Sequence, residues 1–265
     1  MNNEFIKFQK LNKILEVLKI QVANFDKSNT SIKIRTDLGW QINDFFKELN
    51  LQDTPYKRNI YYNWNVLDRS CCEKLDLIYI IENLKKIKKD FFSNYFDEIF
   101  ISHSEKDREI VKNFISLLHN IGLPKSIKDI EGNIFCSSCN GYLIPLGENN
   151  IEYIKQQLTS TDNILAIVMY SKNYMNSASC LNEAGAIWIH NIQYRPIILP
   201  DFSFEEIKGF LNPNITGFKI NDKFKINEFK EFIIKSFNLP EVNYNIWEQD
   251  RDKFLTDIAN LIIKN

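Results

Sequence analysis

In the first part of the chain the apolar residues recur at helical spacing. Phe8, Leu11, Leu15, Leu18 and Val22 alternate by threes and fours, and so do Leu77, Ile80, Leu84, Ile87 and Phe91. Ile42, Phe45, Phe46 and Leu49 mark a shorter third face. Each stripe lasts only about two heptads, too short for an extended coiled coil. The spacing therefore predicts a small all-α domain over residues 1–95, with stripes that could also serve self-association. Within it, the basic run Lys85–Lys89 reads as a solvated helix face.

From Asp97 onward the pattern alternates between strands and helices. EIFIS (Glu98–Ser102) is a short apolar run followed by a helix whose buried face is Ile110, Phe114, Leu117 and Leu118. Ser104, with Asp107 three residues on, has the spacing of a capping box at its start, and Gly122 is placed to end it. NIFCSS reads as a second strand, and a helix is expected from about Asn150 to Leu158. ILAIVMY (Ile164–Tyr170) is apolar at every position, the mark of a strand buried on both faces. Another helix, the strand Arg195–Leu199 and an edge strand within Ile215–Ile220 come next, and the last forty or so residues read as helical. Such alternation predicts an open parallel sheet over residues 96–265, covered on both sides. Ligands of such sheets sit beyond the carboxyl ends of the strands, where the strand order reverses.

Composition narrows the classes. The chain has 265 residues, 44% of them hydrophobic, enough for a sizeable core. Lys and Arg total 33 against 34 acids, and this balance argues against a nucleic-acid binder that works through phosphates. The longest apolar runs are too short to cross a bilayer, and the start MNNEFIKFQK lacks the apolar core of a signal peptide. No membrane partner is expected. Five cysteines in a chain of this size fit a reducing, cytoplasmic setting. The heavy use of Asn, Ile and Lys points to an AT-rich genome and a bacterial source.

One residue stands out chemically. In SASCLNEAGAIW (Ser177–Trp188) the acid Glu183 has Ser179, Cys180, Ala186 and Ile187 three and four positions away, so no local ion pair accounts for it. It is either a solvated helix acid or a group that awaits a ligand. Cys136 and Cys139 form a lone C-x-x-C, which lacks the second pair or His that a zinc site needs; no metal is expected. The four Trp read as core residues. A phosphoacceptor receiver domain is set aside, because it needs acids at the ends of the first and third strands, which here read ISHS and VMYS.

Three segments, EIFISHSEKD, IFCSSCNGYLIPLGEN and SKNYMNSASCLNEAGAIW, resemble in order and spacing the bacterial branch of the TIR (Toll/interleukin-1 receptor) domain family. The resemblance covers roughly residues 97–240. It implies a flavodoxin-like, five-stranded parallel sheet, with residues 1–95 as a helical accessory domain for sensing or oligomerisation. TIR domains either scaffold signalling complexes or cleave NAD. The cleaving members carry a glutamate in a pattern like S-x-x-C-x-x-E, here Ser177, Cys180 and Glu183. The resemblance thus implies an NAD glycohydrolase in antiphage defence, activated by assembly, with Glu183 catalytic and NAD as substrate, no cofactor being required. Ser102, His103, Gly141, Tyr142, Ser179 and Cys180 would bind substrate. The product would be ADP-ribose or a cyclic isomer, the latter read by a downstream effector, and assembly would run through TIR–TIR contacts and the N-terminal helices. Ser179 departs from the family by standing where NAD-cleaving relatives often carry a stacking aromatic, a part that Tyr174 or Tyr142 would have to fill. The alternatives are a non-catalytic interaction module and a nucleoside deoxyribosyltransferase-like enzyme, which also uses a glutamate.

Overall fold

The computed structural model describes residues 3–28, 36–51, 55–56, 74–125, 133–136, 152–155, 158, 163–207 and 216–264. The chain divides into two compact units, Met1–Tyr95 and Phe96–Asn265.

In the first unit, α1 (Asn3–Ser28) packs against α2 (Thr36–Glu48) and α3 (Lys74–Phe91). The stripes read from the sequence meet in one core: Phe8, Leu11, Leu15 and Leu18 with Ile42, Phe45 and Phe46, and with Leu77, Ile80, Leu84 and Ile87. Two details differ from the pattern. Phe91 points outward while its neighbour Phe92 is buried, its ring 5.9 Å from that of Phe8. Lys88, in the run expected to be solvated, is buried with its ammonium 5.2 Å from the Phe8 ring centre, an aliphatic stem and cation–π contact replacing solvent.

The second unit is an α/β fold with a five-stranded parallel sheet in the order β2-β1-β3-β4-β5. The strands are β1 (Glu98–Ser102), β2 (Ile134–Phe135), β3 (Ile164–Tyr170), β4 (Gln193–Ile198) and β5 (Phe218–Lys219). This is the flavodoxin-like order, and it reverses between β1 and β3. Among the described residues, helices lying among the strands and after them include α4 (Arg108–Ile121), α5 (Lys172–Met175), α6 (Ala178–Ile189), α7 (Lys223–Phe237) and α8 (Tyr244–Lys264).

The period of two along the strands sorts the core into two layers. Ile99 and Ile101 of β1, with Leu165, Ile167 and Met169 of β3, join Phe114, Ile233 and Trp247 from α4, α7 and α8. Phe100, Ala166, Val168 and Tyr170 face the other way, against Tyr174, Cys180, Ala184 and Ile187 from α5 and α6. Ser102 shares the parity of Phe100 and so ends β1 on the α6 side. That parity decides what it can touch. All seven residues of β3 are buried, as its apolar run predicted. Gly122 ends α4 at φ 118°, and Asn238 ends α7 at φ 48°, both in the left-handed region that closes helices.

The tryptophans divide. Trp247 is buried, and its Nε1–H donates to Asn227 Oδ1 at 2.8 Å, but Trp40 is 68% and Trp188 55% exposed, contrary to the core placement expected of them. Gly217, just before the edge strand β5, has a steric duty. A Cβ there would lie 2.6 Å from the carbonyl oxygen of Pro196 and 2.9 Å from the Phe204 ring. Gly217→Ala is expected to push β5 off β4 and destabilise the fold by about 2 kcal/mol, to be read as a lowered midpoint in urea unfolding.

Among the described residues no helix is long and apolar enough to cross a membrane.

Candidate active site at the β1–β3 switch

The carboxyl ends of β1 and β3 carry short polar segments, and these converge. Ser102 ends β1, and His103 and Ser104 follow it, all three buried. Across the switch, Ser171 follows β3 and caps α5 with its Oγ, which accepts from Tyr174 N at 3.0 Å. Ser177 then caps α6, its Oγ accepting from Cys180 N at 3.4 Å. These two caps set the start of α6 so that Glu183, in its second turn, comes over the end of β1.

Glu183 is only 8% exposed. Its Oε2 lies 2.6 Å from Ser102 Oγ, and Ser102 Oγ lies 2.9 Å from the Tyr174 hydroxyl. That hydroxyl donates onward to the Cys180 carbonyl at 3.0 Å. Tyr174 itself is 0% exposed, which removes it as a stacking surface for a ligand. Burial pushes the Glu183 carboxyl from its ordinary 4.5 up to about 7, against the opposing pulls of the Ser102 hydrogen bond and the nearby His103 imidazole. Burial also holds the Tyr174 phenol well above its usual range and raises the Cys180 thiol to about 11. Both stay neutral at physiological pH, so Cys180 is no thiolate nucleophile. Its Sγ instead donates to the His103 carbonyl at 3.4 Å, tying α6 to the end of β1. His103 Nδ1 sits 3.4 Å from the Ile101 carbonyl oxygen and 3.8 Å from Cys136 Sγ, which seats the ring between β1 and β2.

Four of the residues singled out in the sequence thus gather at one place: Ser102, His103, Cys180 and Glu183. Ser179 lies on the exposed side of α6. Gly141, Tyr142 and Cys139 lie outside the described residues. Among the described residues, no group of three or more His, Cys, Asp or Glu side chains could hold a metal ion.

Two features were hidden from sequence reasoning. Tyr174 reads as an aromatic that could stack on a ligand, and nothing in its spacing reveals that its hydroxyl completes the Glu183 contact chain. Asp107 reads as a capping residue, and there the structure corrects the expectation. The Ser104 side chain makes no cap. A short 3-10 turn, Glu105–Asp107, precedes α4, and Asp107 reaches across the switch to Ser171 Oγ at 2.5 Å and Asn173 Nδ2 at 2.7 Å. The pairing of Asp107 with S-x-N after the third strand was the only signal, and it spans more than sixty residues.

Among known proteins, the chain is similar to the uncharacterized protein YddK of Bacillus subtilis (strain 168). The two are 33% identical over 161 residues, 61% of this chain and 57% of that protein. No solved structure matches the chain. No family model matches it either.

Proposed function

We propose that the second unit is a TIR-type NAD glycohydrolase that breaks the bond between nicotinamide and ribose, with Glu183 as the catalytic carboxylate. The observation that carries this reading is the position of Glu183, an acid buried at the switch point of a parallel sheet and facing, among the described residues, a hydroxyl and an imidazole rather than a Lys or Arg. The reaction needs one other partner, a water molecule that adds to the ribosyl carbon and releases a proton to solvent, or a nucleophilic atom of the ADP-ribose itself where the product is cyclic. Nicotinamide departs as a neutral base from a cationic pyridinium, so no proton need be supplied to it. The barrier lies at the oxocarbenium-like ribosyl carbon, and a preplaced carboxylate stabilises that charge more strongly in a dry site than in water. Glycosidases use two carboxylates because their leaving groups need a proton. The cationic ring of NAD would itself favour ionisation of Glu183, since a nearby positive charge lowers a carboxyl pKa.

In this reading the helical residues 1–95 form an accessory domain that senses a trigger or holds an assembly, the product is ADP-ribose or its cyclic isomer, and the setting is bacterial antiphage defence. The test is nicotinamide release from NAD, with and without a crowding agent, by the wild type and Glu183→Ala. Release that disappears with Glu183 supports the enzyme. Activity on 2′-deoxynucleosides instead of NAD would point to a deoxyribosyltransferase. One observation favours a second reading as an interaction module: Leu181, Trp188 and Ile189 are exposed along α6, an apolar surface suited to protein contacts. Absence of release under assembling conditions would favour that module.

A further inference from the structure

We infer that Tyr174, through Ser102, is a positioning residue that sets the pH at which Glu183 ionises. Three oxygen–oxygen contacts run in series: Glu183 Oε2 to Ser102 Oγ at 2.6 Å, Ser102 Oγ to Tyr174 Oη at 2.9 Å, and Tyr174 Oη to the Cys180 carbonyl at 3.0 Å. The last oxygen can only accept, so every hydrogen must point toward it if all three contacts are to be hydrogen bonds. A protonated Glu183 makes this possible: its O–H donates to Ser102, Ser102 to Tyr174, and Tyr174 to the carbonyl. An ionised Glu183 brings only two hydrogens to three contacts. Ser102 must turn its O–H to the carboxylate, and one of the remaining contacts is then left with two lone pairs facing each other in a water-poor place. The chain therefore favours the neutral acid by about one hydrogen bond. When Glu183 gives up its proton, the Ser102 hydroxyl reverses direction and becomes the donor that holds the carboxylate oxygen in place.

Tyr174 acts on Glu183 only through Ser102. Tyr174→Phe removes the acceptor that rewards the protonated chain, while Ser102 can still donate to the carboxylate. Ser102→Ala cuts the chain, so that Tyr174 no longer distinguishes the two forms of Glu183. Other titratable groups surround the chain: His103 from the end of β1, Cys136 of the β2 end against it, Cys180 on α6, Tyr170 at the end of β3, and Asp107 of the 3-10 turn. A probe of Glu183 itself is therefore required.

That these residues serve catalysis rests on the glycohydrolase reading; the titration they control does not. The experiment is a carboxyl-carbon NMR titration of the full-length protein labelled at the glutamate side-chain carboxyl, with the Glu183 signal identified by its loss in Glu183→Gln. The wild-type midpoint is expected near pH 7. Tyr174→Phe should lower it by about one pH unit, whereas in a Ser102→Ala background, where the chain is already cut, Tyr174→Phe should leave it in place. Each substitution removes a single oxygen, and circular dichroism checks the fold of every variant. A midpoint that Tyr174→Phe leaves in place or raises in the otherwise unaltered protein, or that it moves equally in the Ser102→Ala background, overturns the inference. Midpoints that separate as stated in a protein that leaves NAD intact would uphold the inference and defeat the glycohydrolase reading. Glu183-dependent cleavage with unmoved midpoints would do the reverse.

Discussion

Glu183→Gln is expected to slow nicotinamide release by about a hundredfold or more while making the protein more stable above pH 7. The amide keeps the shape of the carboxyl and can still accept from Ser102, so the local packing survives. What it lacks is the charge that would stabilise a cationic ribosyl centre, and loss of one preorganised electrostatic group of this kind typically lowers the rate on the order of a hundredfold to a thousandfold. The stability gain has the same origin. The folded-state carboxyl ionises near 7 and the ordinary carboxyl at 4.5, so between those values the native state holds a proton that the unfolded chain has released. Stability therefore falls as pH rises through that window, and the full penalty is in force above it. At ~1.4 kcal/mol per pH unit, the penalty at pH 8 is about 3 kcal/mol. The amide is neutral throughout and escapes it. Urea unfolding at pH 8 should show the variant to be the more stable, and the difference should close toward pH 5. A variant no more stable than wild type at pH 8 would mean that the carboxylate is well solvated, and the electrostatic argument for its role would fail with it.

The sheet was legible because burial imposes a pattern that survives in one dimension. The unbroken apolar run of β3 could only be a strand covered on both faces, and the fifth strand was readable at the edge although only Phe218 and Lys219 pair. Glu183 was legible for a related reason, since an acid without a helical counter-ion contrasts with its neighbours. Tyr174 and Asp107 were not, because their partners are distant in sequence. A tyrosine hydroxyl that bonds Ser102 lies seventy-two residues from it, and no local spacing records such a pairing. Trp188 and Trp40 mislead in the opposite direction: size suggests burial, but exposure depends on which helix face the position occupies. Lys88 shows that a charge run is not uniform either, since one of its members has an aromatic ring to cover.

Asp107→Ala is expected to destabilise the second unit by about 3 kcal/mol and to lower NAD cleavage through geometry rather than chemistry. The carboxylate is buried and accepts from Ser171 Oγ and Asn173 Nδ2. Removing it strands both donors, and an unsatisfied buried partner of a charged group loses roughly 1–3 kcal/mol. The consequence for the site follows from the chain path. Ser171 caps α5 through Tyr174 N, and Tyr174 carries the hydroxyl that meets Ser102. Asp107 thus braces the turn after β1 against the turn after β3, and with it the position of Tyr174 beside Glu183. Asp107→Asn separates bracing from charge. An amide can accept from one partner but presents an N–H to the other, so it should recover part of the stability and part of the activity. Urea unfolding and nicotinamide release measured on the same two variants provide the check. If both retain wild-type stability, the contacts across the switch carry no weight and α5 is held by its apolar side alone. If stability falls in the graded order while activity is untouched, the brace is real but Glu183 does not depend on it.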